Sequence, residues 1–338
     1  MPTIKDVSKK CGVSPSTVSK VLNGYSEIGE ETAALVRAAA EELGYHPNAA
    51  ARSLKTNRSG TIGVLLVDNE CTGLTHSYFA SVLEGFKVEV EKAGFDITFI
   101  SENISAQSMT FLEHCHYRNC DGVMVAFVDY NLPAVRELVM SSMPLVTIDH
   151  TFDNRAAVIS DNIQGVRDLV NYIYSQGHRK IAFIYGDKDS STTKRRVASF
   201  NRTCAELGIP QPPEYLRPAI YHDASRSAME TAELLSLTDP PTCIMYPDDL
   251  AYIGGMNMIE DMGLSIPEDV SAAGYDGTLL SQVLRPRMTT VRQDTARIGA
   301  EAAKTLITAI QNPRTFIPQQ ILVPSELLPG GTVKKIDA

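Results

Sequence analysis

The stretch Thr3–Asn23, TIKDVSKKCGVSPSTVSKVLN, reads as two short helices joined by a tight turn. Ile4, Val7 and Cys11 recur at i, i+3 and i+7 and make one apolar stripe. Gly12 ends that helix, because glycine tolerates the left-handed conformation of a C-terminal turn. Ser14 is placed to cap the next helix, with Pro15 at its first position, where a missing N–H removes nothing. Val13 before the cap and Val18 inside the helix form a hydrophobic staple that fixes the angle between the two. Val18, Val21 and Leu22 turn inward, leaving Ser16, Thr17, Ser19, Lys20 and Asn23 outside. A helix face of small hydroxyls, an amide and a lysine suits a DNA groove. The caps and the spacing alone also describe a plain αα-hairpin.

Size and charge narrow the architecture. At 338 residues, with 43% hydrophobic and 21% charged side chains, the chain is expected to hold one small headpiece and one two-lobed core. No basic segment precedes an early apolar run and no stretch approaches the roughly 18 apolar residues of a membrane span, so the expected compartment is the cytoplasm, with no membrane partner. Six cysteines, at 11, 71, 115, 120, 204 and 243, follow no repeating spacing and read as small apolar fillers. The net charge of -9 is unevenly distributed: residues 1–59 carry +2 and the remainder -11. Lys5, Lys9, Lys10 and Lys20 face only Asp6 within the first 25 residues, and Arg52, Lys55 and Arg58 have no acid among 45–59. Two such basic segments would touch phosphates while the acidic core stays clear of DNA.

Between them, Glu30–Leu43 is expected to form a third helix whose Leu35, Val36, Ala39 and Leu43 close a small core. From Thr61 onward, short β-branched runs alternate with amphipathic stretches. Strands are expected at Ile62–Val67, Asp96–Ile100, Gly122–Ala126, Leu145–Ile148, Ile181–Tyr185, Thr242–Met245 and Ser271–Ala273. Helices are expected at Tyr78–Lys92, Gln107–Arg118, Pro133–Met140, Ile163–Gln176, Arg195–Leu207, Ser225–Leu235, Asp249–Met262 and Thr295–Gln311. Such alternation implies an α/β core of doubly wound parallel sheets, here in two lobes. Ligands of open parallel sheets sit outside the carboxyl ends of the strands. Asp68, Asn69, Asp149, Asp161, Asp248, Asp249 and Asp276 gather at those ends, and Arg196 starts a helix of the second lobe. Carboxylates accept from vicinal hydroxyls, a guanidinium offers a planar fork of donors, and rings such as Tyr78, Phe79, Tyr221 and His222 can cover the apolar face of a sugar.

Thr3–Asn23, with Glu30-Glu31-Thr32, Leu43-Gly44-Tyr45, Pro47-Asn48 and Ala51-Arg52-Ser53-Leu54, resembles the headpiece of the lactose-repressor (LacI/GalR) family without a gap. A looser resemblance runs through the rest of the chain. It implies a helix-turn-helix headpiece over 1–46, a hinge helix and linker over 47–60, and an effector-binding and dimerisation core over 61–338, similar to a periplasmic sugar-binding protein. The first lobe would span about 61–160 and 292–322, the second about 161–291 and 323–338. It implies a homodimer on near-palindromic operator DNA, with Pro15, Ser16, Lys20 and the minor-groove wedge Leu54 at base edges. Thr3, Thr17, Ser19, Asn23, Tyr45, Asn48 and Arg52 would hold phosphates. Asn69, Tyr78, Phe79, Asp149, Asp161, Arg196, His222, Asp248 and Asp276 would contact the effector. The sequence departs from the family pattern at Gly29 and Ala33, at Lys20 where arginine is frequent, at Asp248 where asparagine is usual, and in the lengthened loop Cys71–His76.

The resemblance implies a sugar-controlled repressor of carbohydrate-utilisation genes; a nucleobase-type or other effector acting as corepressor is the alternative. The acid-rich strand ends favour a neutral, hydroxyl-rich molecule. No catalytic motif, cofactor loop or nucleophile elbow is present, so no enzyme and no cofactor are expected. His114, Cys115, His116 and Cys120 fit no usual zinc spacing, and no metal is expected.

Overall fold

The structure, a computed structural model, describes residues 2–22, 24, 27–46, 58–67, 73–104 and 107–337. Asn23, Asn48, Arg52, Leu54, Asp68 and Asn69 lie outside the described residues, as does most of the expected hinge. The chain divides into two compact units, Met1–Thr61 with Asn119–Asp121, and the remainder.

The first unit holds helices Ile4–Cys11, Pro15–Leu22 and Glu30–Leu43. Thr3 precedes the first, and its amide and hydroxyl both donate to Asp6 Oδ2 at 2.7 Å. Gly12, at φ 68°, closes that helix, and the Thr17 amide donates to Ser14 Oγ at 3.1 Å to start the next. Val7, Val18, Val21, Ala33, Val36, Ala39 and Ala40 are buried together, with Val13 and Tyr45 packed against them. The alanines let the third helix approach closely. Leu35 departs from the expected core: it is 52% exposed. Ala33, Val36 and Ala40 form the inward stripe, and Leu35, roughly 100° round from Val36, faces out. Beyond the third helix, the amides of Ser59 and Gly60 donate to the Asp121 carboxylate at 3.0 and 2.8 Å.

The second unit contains two main sheets. One runs in the order Gln320–Val323, Ala156–Ser160, Leu145–Ile148, Gly122–Ala126, Thr61–Leu66 and Asp96–Ile100. The other runs Ser271–Ala273, Cys243–Met245, Ile181–Tyr185 and Leu216–Pro218, parallel throughout. Strand alternation sends Ile181 and Phe183 to one core and Ala182 and Ile184 to another. That is why these strands read as continuous apolar runs: both faces are covered. The first sheet shares its core with helices Ser77–Lys92 and Thr295–Gln311, which cross at Gly85 and Gly299. The segments Thr290–Gln293 and Ser325–Leu328 pair with each other, antiparallel.

The expected helix Gln107–Arg118 is shorter. Phe111–Tyr117 is helical behind a Thr110–Glu113 capping box, while Gln107–Ser108 pairs with Asn103–Ile104. His114 is buried there, with Nδ1 2.9 Å from the Ser101 backbone, and His116 is exposed. Among the described residues no helix is long and apolar enough to cross a membrane.

Candidate functional site

On the first unit, the helix Pro15–Leu22 presents Pro15 and Ser16 fully outward, with Thr17, Ser19 and Lys20 half-exposed. The Thr17 hydroxyl lies 2.9 Å from Ser14 Oγ. Lys20 Nζ donates to Glu27 at 2.7 Å. This ion pair is exposed on both sides, so solvent and salt screen it. Thr3 and its partner Asp6 lie on the same unit; the Thr3 bonds hold the Asp6 carboxyl below its usual range.

In the second unit, a cleft of about 310 Å³ opens at the carboxyl ends of the strands of both sheets. Its walls bring together Tyr78, Phe79, Asp149, Arg196, His222 and Asp276, joined by Tyr221. The Tyr78 hydroxyl donates to Asp149 Oδ2 at 2.5 Å, and the Ser160 amide to Asp149 Oδ1 at 3.1 Å. Arg196 Nε donates to Asn162 Oδ1 and Nη1 to the Pro247 carbonyl, both at 2.7 Å. Its guanidinium lies 3.6 Å from the Tyr275 ring centroid and 4.0 Å from Asp276 Oδ1. Gln293 Nε2 donates to Asp276 Oδ1 at 2.6 Å. His76 and His222 meet edge to face at 3.8 Å, and Tyr130 stacks on His150 at 4.1 Å.

Four wall residues, Phe127, Asp149, His222 and Asp276, have φ of 56°, 56°, 61° and 102°. Non-glycine residues there carry about 1–3 kcal/mol of strain each, held only where the surroundings over-determine them, and such strain clusters at functional sites. Burial raises the pKa of both carboxyls: Asp149 despite the bonds from Tyr78 and Ser160, and Asp276 well above the usual range despite Arg196. Burial alone would lower Arg196, but Tyr221, Tyr275, Asp276 and Asp149 outweigh it and keep the guanidinium charged. The cleft thus offers carboxyl groups, a fixed cation and several aromatic faces.

Residues 3–48 match the bacterial regulatory proteins of the lacI family, and residues 170–333 match a periplasmic binding protein-like domain. The HTH-type transcriptional repressor PurR of Escherichia coli O1:K1 / APEC is 31% identical over 334 residues, covering 97% of this chain and 96% of the relative. The chain belongs to the LacI family. Two solved structures share its fold. The lac repressor dimer bound to operator and the anti-inducer ONPF has a TM-score of 0.82 at 24% identity, covering 98% of this chain and 99% of that one. A LacI family transcriptional regulator from Enterococcus faecium with bound ribose has a TM-score of 0.70 at 25% identity, covering 82% and 99%.

Two residues singled out from the sequence of this LacI-family chain lie elsewhere. Asp161 caps the helix Asn162–Ser175, accepting from the Gln164 amide at 3.0 Å. Asp248 is fully buried; it caps Asp249–Asp261 through the Leu250 and Ala251 amides and accepts from the His222 amide at 2.9 Å. Both carboxylates serve backbone donors, and neither lines the cleft. Arg196 lies within the helix Ser191–Leu207 rather than starting it. Sequence patterning does not reveal Phe127, Tyr130, His150 and Gln293; the only local signal is aromatic residues just past strand ends.

Asp249, outside the cleft walls, is 1% exposed. It accepts from the Thr278 amide and hydroxyl and from the Thr290 hydroxyl, at 2.7 to 2.8 Å. A Cβ on Gly274 would meet Asp249 Oδ1 at 2.6 Å, so only glycine permits this approach. Burial pushes the Asp249 pKa up to about 6. The folded value exceeds the unfolded one, so the group disfavours folding above pH 6 and that penalty is relieved as pH falls toward 4. Asp249→Asn is expected to remove a contribution on the order of 3 kcal/mol from the pH slope. Thermal midpoints of both proteins across pH 4 to 7 test this; parallel curves would contradict it.

Proposed function

We propose that the chain is a transcriptional repressor acting as a homodimer on near-palindromic operator DNA in the cytoplasm, by binding rather than turnover. The headpiece would span 1–46, the hinge 47–60 and the effector and dimerisation core 61–338. Pro15, Ser16, Lys20 and Leu54 would meet base edges; Thr3, Thr17, Ser19, Asn23, Tyr45, Asn48 and Arg52 would meet phosphates. The reading rests on one observation: a capped helix carries Pro15, Ser16 and Lys20 outward from a packed three-helix unit. In this assignment DNA displaces Glu27 from Lys20. A small-molecule effector, a sugar in the favoured version, would occupy the cleft against Tyr78, Phe79, Asp149, Arg196, His222 and Asp276 and shift the population of lobe arrangements. The ribose held by the Enterococcus faecium relative supports that version.

Selection of the full-length chain against randomised duplexes tests the DNA reading. A palindrome enriched over bulk duplex is the expected result, and no preference would overturn it. Lys20→Ala should relax one position in each half-site, by about 1–3 kcal/mol of discrimination. An unchanged position matrix would take Lys20 out of the base contacts.

A further inference from the structure

The chain passes from the headpiece into the first sheet through one corner, and an acid from a distant part of the sequence holds it. Asp121, just ahead of the strand Gly122–Ala126, accepts from the Ser59 amide on Oδ1 at 3.0 Å and from the Gly60 amide on Oδ2 at 2.8 Å. The Thr61 amide donates to Ser59 Oγ at 2.9 Å, and the Asp121 amide donates to the Thr61 carbonyl at 2.8 Å. Gly60, at φ 73°, supplies the left-handed turn that lets two successive N–H groups converge on one anion.

Both carboxylate oxygens are used, so no neutral side chain of the same size replaces them. An asparagine keeps one acceptor and sets an N–H against an N–H. The two bonds are charge-assisted, and a carboxylate gripping two amides has little freedom to swing. They span 62 and 61 positions of sequence, and a local turn at Ser59 and Gly60 needs no acid from so far away. Thr61–Leu66 and Gly122–Ala126 lie side by side and parallel, with Ile62 opposite Gly122. The corner is therefore tied to two neighbouring strands. Hung from its own strand alone it could pivot; tied to the neighbour as well, it follows the amino ends of both.

We propose that Asp121 is a positioning residue for DNA binding: its carboxylate sets the direction in which the chain leaves the first sheet, and with it the separation at which two headpieces meet a duplex. This rests on the reading of the chain as a dimeric operator-binding protein.

Two measurements on the full-length chain test it. The first is the affinity of wild type, Asp121→Ala and Asp121→Asn for the palindrome found by duplex selection, and for versions with one and two base pairs inserted at its centre. One inserted pair moves the half-sites apart by about 3.4 Å and turns them by about 35°. Wild type should discriminate sharply between the spacings. In Asp121→Ala that discrimination should shrink about tenfold, the scale of one charge-assisted hydrogen bond. Asp121→Asn should lie between, and base preferences within each half-site should stay as in wild type. A merely structural acid would instead lower affinity by one factor at every spacing. The second measurement needs no DNA and no variant: in wild type, the Ser59 and Gly60 amides should exchange hydrogen well below the rate of an unstructured peptide of the same sequence. Should Asp121→Ala not fold, Asp121→Asn carries the spacing comparison. Wild-type discrimination in the variants, a uniform loss across spacings, or unprotected amides would each overturn the proposal while a palindrome-selecting wild type leaves the DNA reading standing. A wild type that prefers no palindrome overturns the DNA reading, and the proposal falls with it.

Discussion

Replacing Arg196 by methionine should abolish any effector response and destabilise the second unit by about 3–5 kcal/mol at neutral pH. The methionine keeps most of the apolar stem, so the loss isolates the guanidinium. That group joins Asn162, the Pro247 carbonyl and the Tyr275 ring while standing 4.0 Å from Asp276, and both members of the pair are buried. Without it Asp276 is a buried carboxyl with no cation beside it. Burial already raises the Asp276 pKa, Arg196 opposes that, and the substitution removes the opposition. The extra penalty is therefore present where Asp276 would be ionised and disappears as pH falls and the carboxyl protonates. The gap between wild-type and variant midpoints should shrink from pH 7.5 to pH 5. A gap that holds or widens would show that the loss comes from packing alone.

A folding defect of similar size is expected from Gly299→Val. A Cβ at Gly299 would lie 2.0 Å from the Val82 carbonyl oxygen and 2.5 Å from the Phe86 nitrogen. One at Gly85 would lie 2.4 Å from the Ala296 carbonyl oxygen. These neighbours are backbone, so no side chain can swing aside; Ser77–Lys92 and Thr295–Gln311 would have to separate and open the first core. Overpacking of this kind removes about 3 kcal/mol or more. Gly29→Ala is the control: nothing lies within 4 Å of a Cβ there, so the change should stay within about 0.5 kcal/mol. Urea midpoints of the two variants should differ widely. Equal midpoints would mean that the crossing can relax.

The fold is legible in the sequence where punctuation and period coincide. Gly12, Ser14 and Pro15 mark both helix ends, and the helices Pro133–Met140 and Thr295–Gln311 have the bounds their apolar periodicity suggests. Ala156–Ser160, Gln320–Val323 and Leu216–Pro218 do not stand out as strands. Their partners are distant in the chain or follow an irregular loop, so no alternation with a helix announces them. In the site, Asp149 and Asp276 are readable because strand ends concentrate polar groups, and Arg196 is readable through the family resemblance. Asp161 and Asp248 mislead because the same position also starts a helix, and a cap requires the same residue type as a ligand contact. Each is followed directly by a helix, and that is the discriminating signal. Gln293 is invisible at the level of sequence: the bond that holds its side chain reaches a neighbour 17 positions away in the chain.

The pairing of Thr290–Gln293 with Ser325–Leu328 constrains what the lobes can do. Two strands in register resist sliding past one another, since every shift breaks a row of bonds, but a ribbon of two twists readily. Twist of this ribbon, rather than sliding, is therefore the soft motion between the two sheets. Displacement from an angular change grows with distance from the axis. The cleft lies at the carboxyl end of Thr61–Leu66, so the amino end, a full strand length away, is where a small rotation is read as travel.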